Sequence, residues 1–330
     1  MACAAAFFVF SIFYSARILS SAHTKNATWQ AFSQGTTRVE GINKTLPKGF
    51  ALQLPDGLTW HTAVFTKDKL YRGLMLLIDA QHPVPSAMPA PNSFSISAHG
   101  RANIATRSAQ TVLNMETIEA LIPLFQAGRQ KGFGEWTVFS GTRSNEQQLE
   151  LQLGQLAAYA RNYPLVTAAA MAAKGYEAPG CSEHQTGYVV DIRLSDAYNA
   201  PPDNAALRDS QSGSYLLDIA WQHGFIHRYT EKNPHPQPEE DYHFRYIGKP
   251  HAELMHLLQM TFEEYLAFLR EKGRLSYYEN GRLKYVVICG RVEGDFSTKV
   301  PDEAVAIEAS ADNTGYAIVL YGFIQSAEFD

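Results

Sequence analysis

A chain of 330 residues, 45% hydrophobic and 18% charged, is long enough to bury one large core or two modest ones. Its formal net charge of −5 offers no basic footprint for nucleic acid and fits a mildly acidic enzyme. No internal repeat or low-complexity tract is present.

Residues 1–20 are expected to be a signal or anchor segment: positions 2–16 are apolar and nearly free of charge, and Arg17 ends the run. The run is short for a membrane span and closer to the apolar part of a secretory signal. An extracytoplasmic protein follows, secreted or membrane-anchored, with membrane contact through this segment alone. Residues 21–46 are polar and aperiodic, as in a linker. Residues 47–110 form an irregular lead-in, with strand-like runs at 50–54 and 74–79 and proline-rich turns at 83–91. Asn114 is placed to cap a helix running toward Gly132, in which Ile118, Leu121, Ile122 and Phe125 follow helical spacing. Pro123 marks a kink or an early break. Residues 136–139 read as a strand that delivers Ser140, Gly141, Thr142 and Arg143 at its end. Ser144 and Gln147 have capping-box spacing for the next helix.

Beyond the loop at 175–180, residues 188–192 have the β-branched and aromatic content of a strand, and Asp191 interrupts that apolar run. A buried carboxylate is costly unless it is paired or bound to a cation. His184 stands in the preceding polar turn, and Gly187 can adopt the backbone angles that fold the turn back over the strand end. Residues 195–213 are polar and suit a cleft-edge loop. A helix over 216–223 closes at Gly224, a short strand follows at 225–229, and a proline-containing loop leads to Glu240. From Tyr242 to Tyr246 aromatic and polar residues alternate, so His243 and Arg245 share one strand face. His184, Asp191 and His243 are a catalytic zinc set with a fourth position left for water. Glu240, three residues before His243, is placed to act as general base without binding the metal. A helix spans 251–260, Thr261 with Glu264 caps the next, and Gly273 ends it. The tail changes character: a hairpin over 277–288 turns at Asn280-Gly281, and strands follow at 305–309 and 316–323. Cys181 and Cys289 are open to two readings, a disulfide after export or two buried thiols.

Ser182-x-His184-x-x-Gly187-x-x-x-Asp191, then Glu240-x-x-His243-Phe244-Arg245-Tyr246, resembles the VanY-type D-alanyl-D-alanine carboxypeptidases. These are zinc metallopeptidases, grouped with lysostaphin-type enzymes and the hedgehog amino-terminal fold. Ser140-Gly141-Thr142-Arg143-Ser144 with Gln148 is similar to a third motif of that family. The resemblance covers roughly residues 110–270 and implies Zn2+ as cofactor and a peptidoglycan stem peptide as substrate. It assigns Arg143 to the oxyanion at the attacked carbonyl, where the alternative is a structural salt bridge. Ser182 and Gln148 either hydrogen-bond the peptide or brace neighbouring loops, and Tyr242 supplies an aromatic wall. Thr142, Val189 and Asp241-Tyr242 depart from the family pattern, which bears on the peptide accepted and leaves the ligand set intact.

The expected fold class is α+β: a small antiparallel sheet bearing the zinc site, flanked by helices. Residues 47–273 are expected to be the peptidase domain, lead-in included, and residues 274–330 a small β appendage. The activity expected is removal of the terminal D-Ala. A D,D-dipeptidase or wall endopeptidase with the same zinc set is the alternative within enzymes, and a non-catalytic zinc-containing wall-binding module the alternative outside them.

Overall fold

The computed structural model describes residues 46–100, 103–194, 206–229 and 242–323. The expected signal segment and nearly all of the expected linker, residues 195–205 and 230–241, and with them Glu240, lie outside the described residues. In chain order the strands are β1 (Phe50–Ala51), β2 (Trp60–Phe65), β3 (Ser93–Ser95), β4 (Ala105–Thr106), β5 (Val112–Asn114), β6 (Trp136–Ser140), β7 (Val189–Leu194), β8 (Phe225–His227), β9 (His243–Tyr246), β10 (Arg274–Glu279), β11 (Arg282–Arg291), β12 (Phe296–Pro301), β13 (Ala306–Ala311) and β14 (Tyr316–Gly322). The helices are α1 (Lys67–Leu70), α2 (Met115–Gln130), α3 (Asn145–Tyr159), α4 (Leu165–Gly175), α5 (Ala206–Asp209), α6 (Gln211–Ile219), α7 (Lys249–Leu258) and α8 (Phe262–Lys272).

The apolar runs at 136–140 and 189–194 form the middle of a five-stranded sheet in the order β4-β6-β7-β9-β8. All its pairings are antiparallel except β4 with β6. One face is covered by α2 and α6: Ile118, Leu121, Leu124 and Phe125 pack with Val138, Val190, Ile192, Leu216 and Phe244. The helical spacing expected for that face is met at Ile118, Leu121 and Phe125, while Ile122 is only half-buried and Leu124 fills the core instead; α2 continues through Pro123 without a break. Asn114 precedes α2 but its side chain makes no capping bond. The boxes at Ser144–Gln147 and Thr261–Glu264 form as expected.

The second five-stranded sheet, β1-β10-β11-β14-β13, joins the two ends of the described chain. Its β10–β11 hairpin turns at Asn280 and Gly281, both at positive φ (51° and 80°), the geometry that matches strand twist. Apolar side chains on one of its faces pack with α7 and α8, including Leu254, Phe262, Leu266 and Leu269 against Leu275, Val287 and Leu320. The other face packs with Leu70, Leu76 and Ile78. Burial on both faces explains why β11 carries an unbroken apolar run over 285–287 instead of alternation.

Three local expectations change, the first at the cleft-edge loop expected over 195–213, whose described part forms α5 and the start of α6. The run 50–54 yields only the two-residue β1, paired with β10, while β2 pairs with β12, a strand absent from the sequence reading. The apolar run 74–79 is not a strand; it is a buried strap between the sheets, with Met75, Leu76, Leu77 and Ile78 excluded from solvent. A buried segment without a ladder needs other partners for its backbone groups. Ser310 Oγ accepts from the Met75 N–H (3.1 Å) and the Asp312 carbonyl from the Leu77 N–H (3.1 Å). Asn313 Nδ2 donates to the carbonyls of Leu77 (3.0 Å) and Pro83 (2.9 Å). Cys181 and Cys289 are not bridged.

Asn313 sits at φ 66°, a left-handed position that suits Asn far better than Ala. Asn313→Ala should therefore lower stability by about 1–3 kcal/mol, chiefly through the Leu77 carbonyl of the strap left without that donor. A urea midpoint equal to that of the parent would show that the strap does not depend on this residue.

Candidate metal centre

Register places the first two groups. In the β7–β9 ladder Asp191 stands directly opposite His243, and in the β6–β7 ladder Ser140 stands opposite Asp191. Opposed residues project from the same face with Cβ atoms about 4.5–5.5 Å apart. The third group arrives from a single 3-10 turn, Glu183–Thr186, that ends at Gly187 in the left-handed conformation (φ 81°). The Gly187 carbonyl accepts from the Asn114 N–H (3.0 Å) and the Thr117 hydroxyl (3.2 Å), which pins the turn to the start of α2.

His184, Asp191 and His243 are all buried, and one ligand atom from each lies within 4.8 Å of the others. His184 Nε2 is 3.3 Å and His243 Nδ1 3.2 Å from the same atom, Asp191 Oδ1. That oxygen has no hydrogen-bond partner among the described residues, although it is fully enclosed. The two rings meet edge to face, with centroids 5.1 Å apart. Two nitrogen lone pairs and a carboxylate oxygen converging without hydrogen-bond geometry suit a divalent ion that favours N and O ligands.

The surroundings keep the donors available. His184 Nδ1 donates to the Gly141 carbonyl (2.7 Å), which leaves Nε2 with its lone pair. Burial, and then the Arg143 charge, push the His184 imidazole below its ordinary range, so it stays neutral near pH 7. Burial opposes ionisation of Asp191, but the neighbouring charge, the Arg143 guanidinium among it, outweighs burial and holds the carboxyl well below the usual range. The loop that carries Gly141 has no room for a side chain there: a Cβ would lie 2.4 Å from the Val112 carbonyl oxygen. The Arg143 N–H donates to the His184 carbonyl (3.2 Å), which stitches loop to turn.

Arg143 is brought into the site. It donates from Nη2 to Asp191 Oδ2 (3.1 Å), from Nε to Ser140 Oγ (3.0 Å) and from Nη1 to Gln148 Oε1 (3.4 Å). These bonds use three of its five N–H donors. They also turn the other oxygen of Asp191 toward the histidines. Gln148, fully buried, spends its second end on the Glu177 carbonyl (2.9 Å), so in this structure it braces Arg143 and the loop before the motif. Ser182 is buried at the N-terminus of the turn, and its hydroxyl has no partner among the described residues. The Tyr242 ring covers the Arg193 guanidinium at 4.1 Å. Cys181 is not one of the three converging groups.

Sequence reasoning passed over Glu183. Its carboxylate accepts from Arg228 (Nη2 at 3.0 Å, Nε at 3.2 Å) and from Arg245, and lies 3.4 Å from His243 Nε2. Arg228 also pairs with Glu263 (2.7 Å), and Arg245 Nη2 donates to the carbonyls of Gly73, Leu74 and Leu76 in the strap. Burial works against the Glu183 charge, yet the two arginines hold its carboxyl well below the ordinary range. The signal was present: alternation puts Arg245 on the His243 face of a buried strand, where a lone charge is untenable.

Residues 110–249, which include all eight site residues anticipated from the sequence, match the VanY family, D-alanyl-D-alanine carboxypeptidase. Within that segment the chain is VanY-like. It is 25% identical over 260 residues to a D-alanyl-D-alanine carboxypeptidase of Enterococcus faecium, covering 77% of each chain. It is 34% identical over 98 residues to the bifunctional D-Ala-D-Ala dipeptidase and carboxypeptidase VanXYC of Enterococcus gallinarum, covering 29% of this chain and 52% of that one. Its fold is that of the vancomycin resistance D,D-dipeptidase VanXYg, solved with a D-Ala-D-Ala phosphinate analog: TM-score 0.64 at 20% identity, over 80% of this chain and 99% of that one. The VanY-type motifs thus sit on a fold like that of VanXYg.

Asp191→Asn keeps the shape of the side chain while removing its charge and one acceptor. The variant should stay folded and bind a divalent ion more than about 100-fold more weakly, beyond the cost of losing an outer-shell partner. Equilibrium dialysis with metal analysis checks this, and undiminished affinity would remove Asp191 from the ligand set.

Proposed function

We propose that this chain is a zinc-dependent D-alanyl-D-alanine carboxypeptidase that removes the terminal D-Ala from peptidoglycan stem peptides. The observation that carries the reading is the convergence of His184 Nε2, Asp191 Oδ1 and His243 Nδ1 beside the Arg143 guanidinium, inside the segment that matches the VanY family. Zinc would be held by those three side chains, and the chemistry it supplies when bound is polarisation of a carbonyl and activation of water.

The chain's own residues account for the rest. Glu240 takes a proton from the attacking water as the new C–O bond forms at the carbonyl carbon of the penultimate residue. It then gives that proton to the nitrogen of the departing D-alanine as the C–N bond breaks. Arg143 has N–H donors left after its bonds to Asp191, Ser140 and Gln148, and these stabilise the oxyanion that develops at the attacked carbonyl. Because its charge is held by packed partners, it needs little reorganisation as the reaction proceeds. Ser182, whose buried hydroxyl has no partner among the described residues, and Tyr242, immediately before β9, are the residues assigned to the peptide. Gln148 acts at one remove by holding Arg143.

A stem peptide substrate places the enzyme outside the cytoplasmic membrane, with residues 1–20 as its signal or anchor. Among the described residues no helix is long and apolar enough to cross a membrane. D,D-dipeptidase activity is the second reading, favoured by the likeness to a bifunctional dipeptidase and carboxypeptidase.

Release of D-alanine from a pentapeptide ending in D-Ala-D-Ala or from free D-Ala-D-Ala, and loss of crosslinks from crosslinked wall, separate carboxypeptidase, dipeptidase and endopeptidase. Zinc-loaded protein that binds wall fragments and hydrolyses none of the three would make it a binding module instead. Glu240→Ala should keep its zinc and lose turnover by about 10²–10⁴-fold, the span of general acid–base catalysis. Turnover at the parental rate would exclude Glu240 as the base.

A further inference from the structure

Among the described residues, the Glu183 carboxylate is the buried acid at this site that the proposed chemistry leaves without a task. It touches His243 at Nε2 (3.4 Å), the ring nitrogen remote from Nδ1, which approaches Asp191. Glu183 and Arg245 are completely buried, and Arg228 and His243 nearly so. We propose that Glu183 is the positioning residue for His243: it accepts the Nε2–H bond and thereby aims Nδ1 at the metal position. The proposal rests on the metal reading above.

Three features carry it. An imidazole can offer Nδ1 to a metal only if its proton sits on Nε2, and an ionised acceptor at Nε2 selects that form. A ring flip about the Cβ–Cγ bond would move Nε2 away from Glu183 and Nδ1 away from Asp191 together, so one contact fixes both. The acceptor is itself immobile. Arg228 grips it with two nitrogens and is tied on to Glu263, while Arg245 is anchored on three strap carbonyls. A carboxylate needed only as counter-ion to the two arginines would have no reason to reach the imidazole. The Tyr229 ring, tilted at 4.9 Å from the His243 ring, lies against the same imidazole.

The test compares the full-length parent with Glu183→Gln and Arg228→Gln. Each is followed by thermal melting, zinc titration against a competing chelator, and long-range ¹H–¹⁵N NMR of the imidazoles in metal-free protein. The parent should show His243 as the Nε2–H tautomer. In Glu183→Gln that signature should give way to a tautomer mixture, and the zinc Kd should rise about 10–100-fold. Arg228→Gln spares the Arg245 arm and the Glu183–His243 contact; it should melt lower while its zinc Kd rises less than in Glu183→Gln. Parental Kd and an unchanged His243 tautomer in Glu183→Gln would overturn the proposal, as would an equal loss of affinity in Arg228→Gln. If Glu183→Gln does not fold, Glu183→Asp keeps the charge for the arginines and withdraws it from His243, and the same two readouts decide. A parent that binds no zinc would sink the metal reading itself, a result separable from any difference among the variants.

Discussion

The antiparallel register of β7 on β9 is the constraint on which the rest depends. Pairing Asp191 with His243 and Val189 with Arg245 sends the acid and the histidine to one face, and Phe244 into the core on the other. Side chains alternate with a period of two, so a slip of one residue would bury His243 among apolar groups and present Phe244 to Asp191. The apolar face guards against that slip: Val190, Ile192 and Phe244 are fully buried under α2 and α6 and have no other place to go. Hydrophobic packing on one side of the sheet thus sets the geometry of the polar side.

That polar side is dense with charge taken out of water. Buried ion pairs seldom stabilise a fold more than apolar residues of the same shape would, because desolvation offsets their attraction. Here their effect is positional. Arg143 fixes one oxygen of Asp191, the Gly141 carbonyl fixes one nitrogen of His184, and Glu183 meets the remote nitrogen of His243. Each converging group therefore has a partner behind it, an arrangement that orients donors before any ion arrives.

The C-terminal sheet is tied into the same arrangement. The strap over residues 73–78 runs between the two sheets, and its backbone is satisfied from both sides, by Arg245 on one and by Ser310, Asp312 and Asn313 on the other. Strands near the start of the described chain pair with the C-terminal part: β1 forms an edge of the sheet on β10, and β2 pairs with β12 in a separate two-stranded ladder. The expected boundary at residue 274 therefore crosses shared packing, since α7 and α8 bury their apolar faces against β10, β11 and β14.

Much of the site was legible without coordinates. Strand periodicity exposed Asp191 and His243, turn chemistry exposed His184 and Gly187, capping boxes marked the starts of α3 and α8, and Asn280-Gly281 marked the hairpin. These signals are local: each depends on backbone preferences within a few residues, which a chain carries in any context. What only the tertiary structure decided was which charges would meet. The sequence by itself determined that Arg245 shares a face with His243, but Glu183 lies 62 positions away from it, and the carbonyls it also serves lie about 170 away. The same holds for the run 74–79, apolar enough to be a strand yet denied a ladder because side-chain donors and acceptors from two sheets reach its backbone first. Pairing between distant segments is set by how whole faces pack, and no window of sequence contains that information.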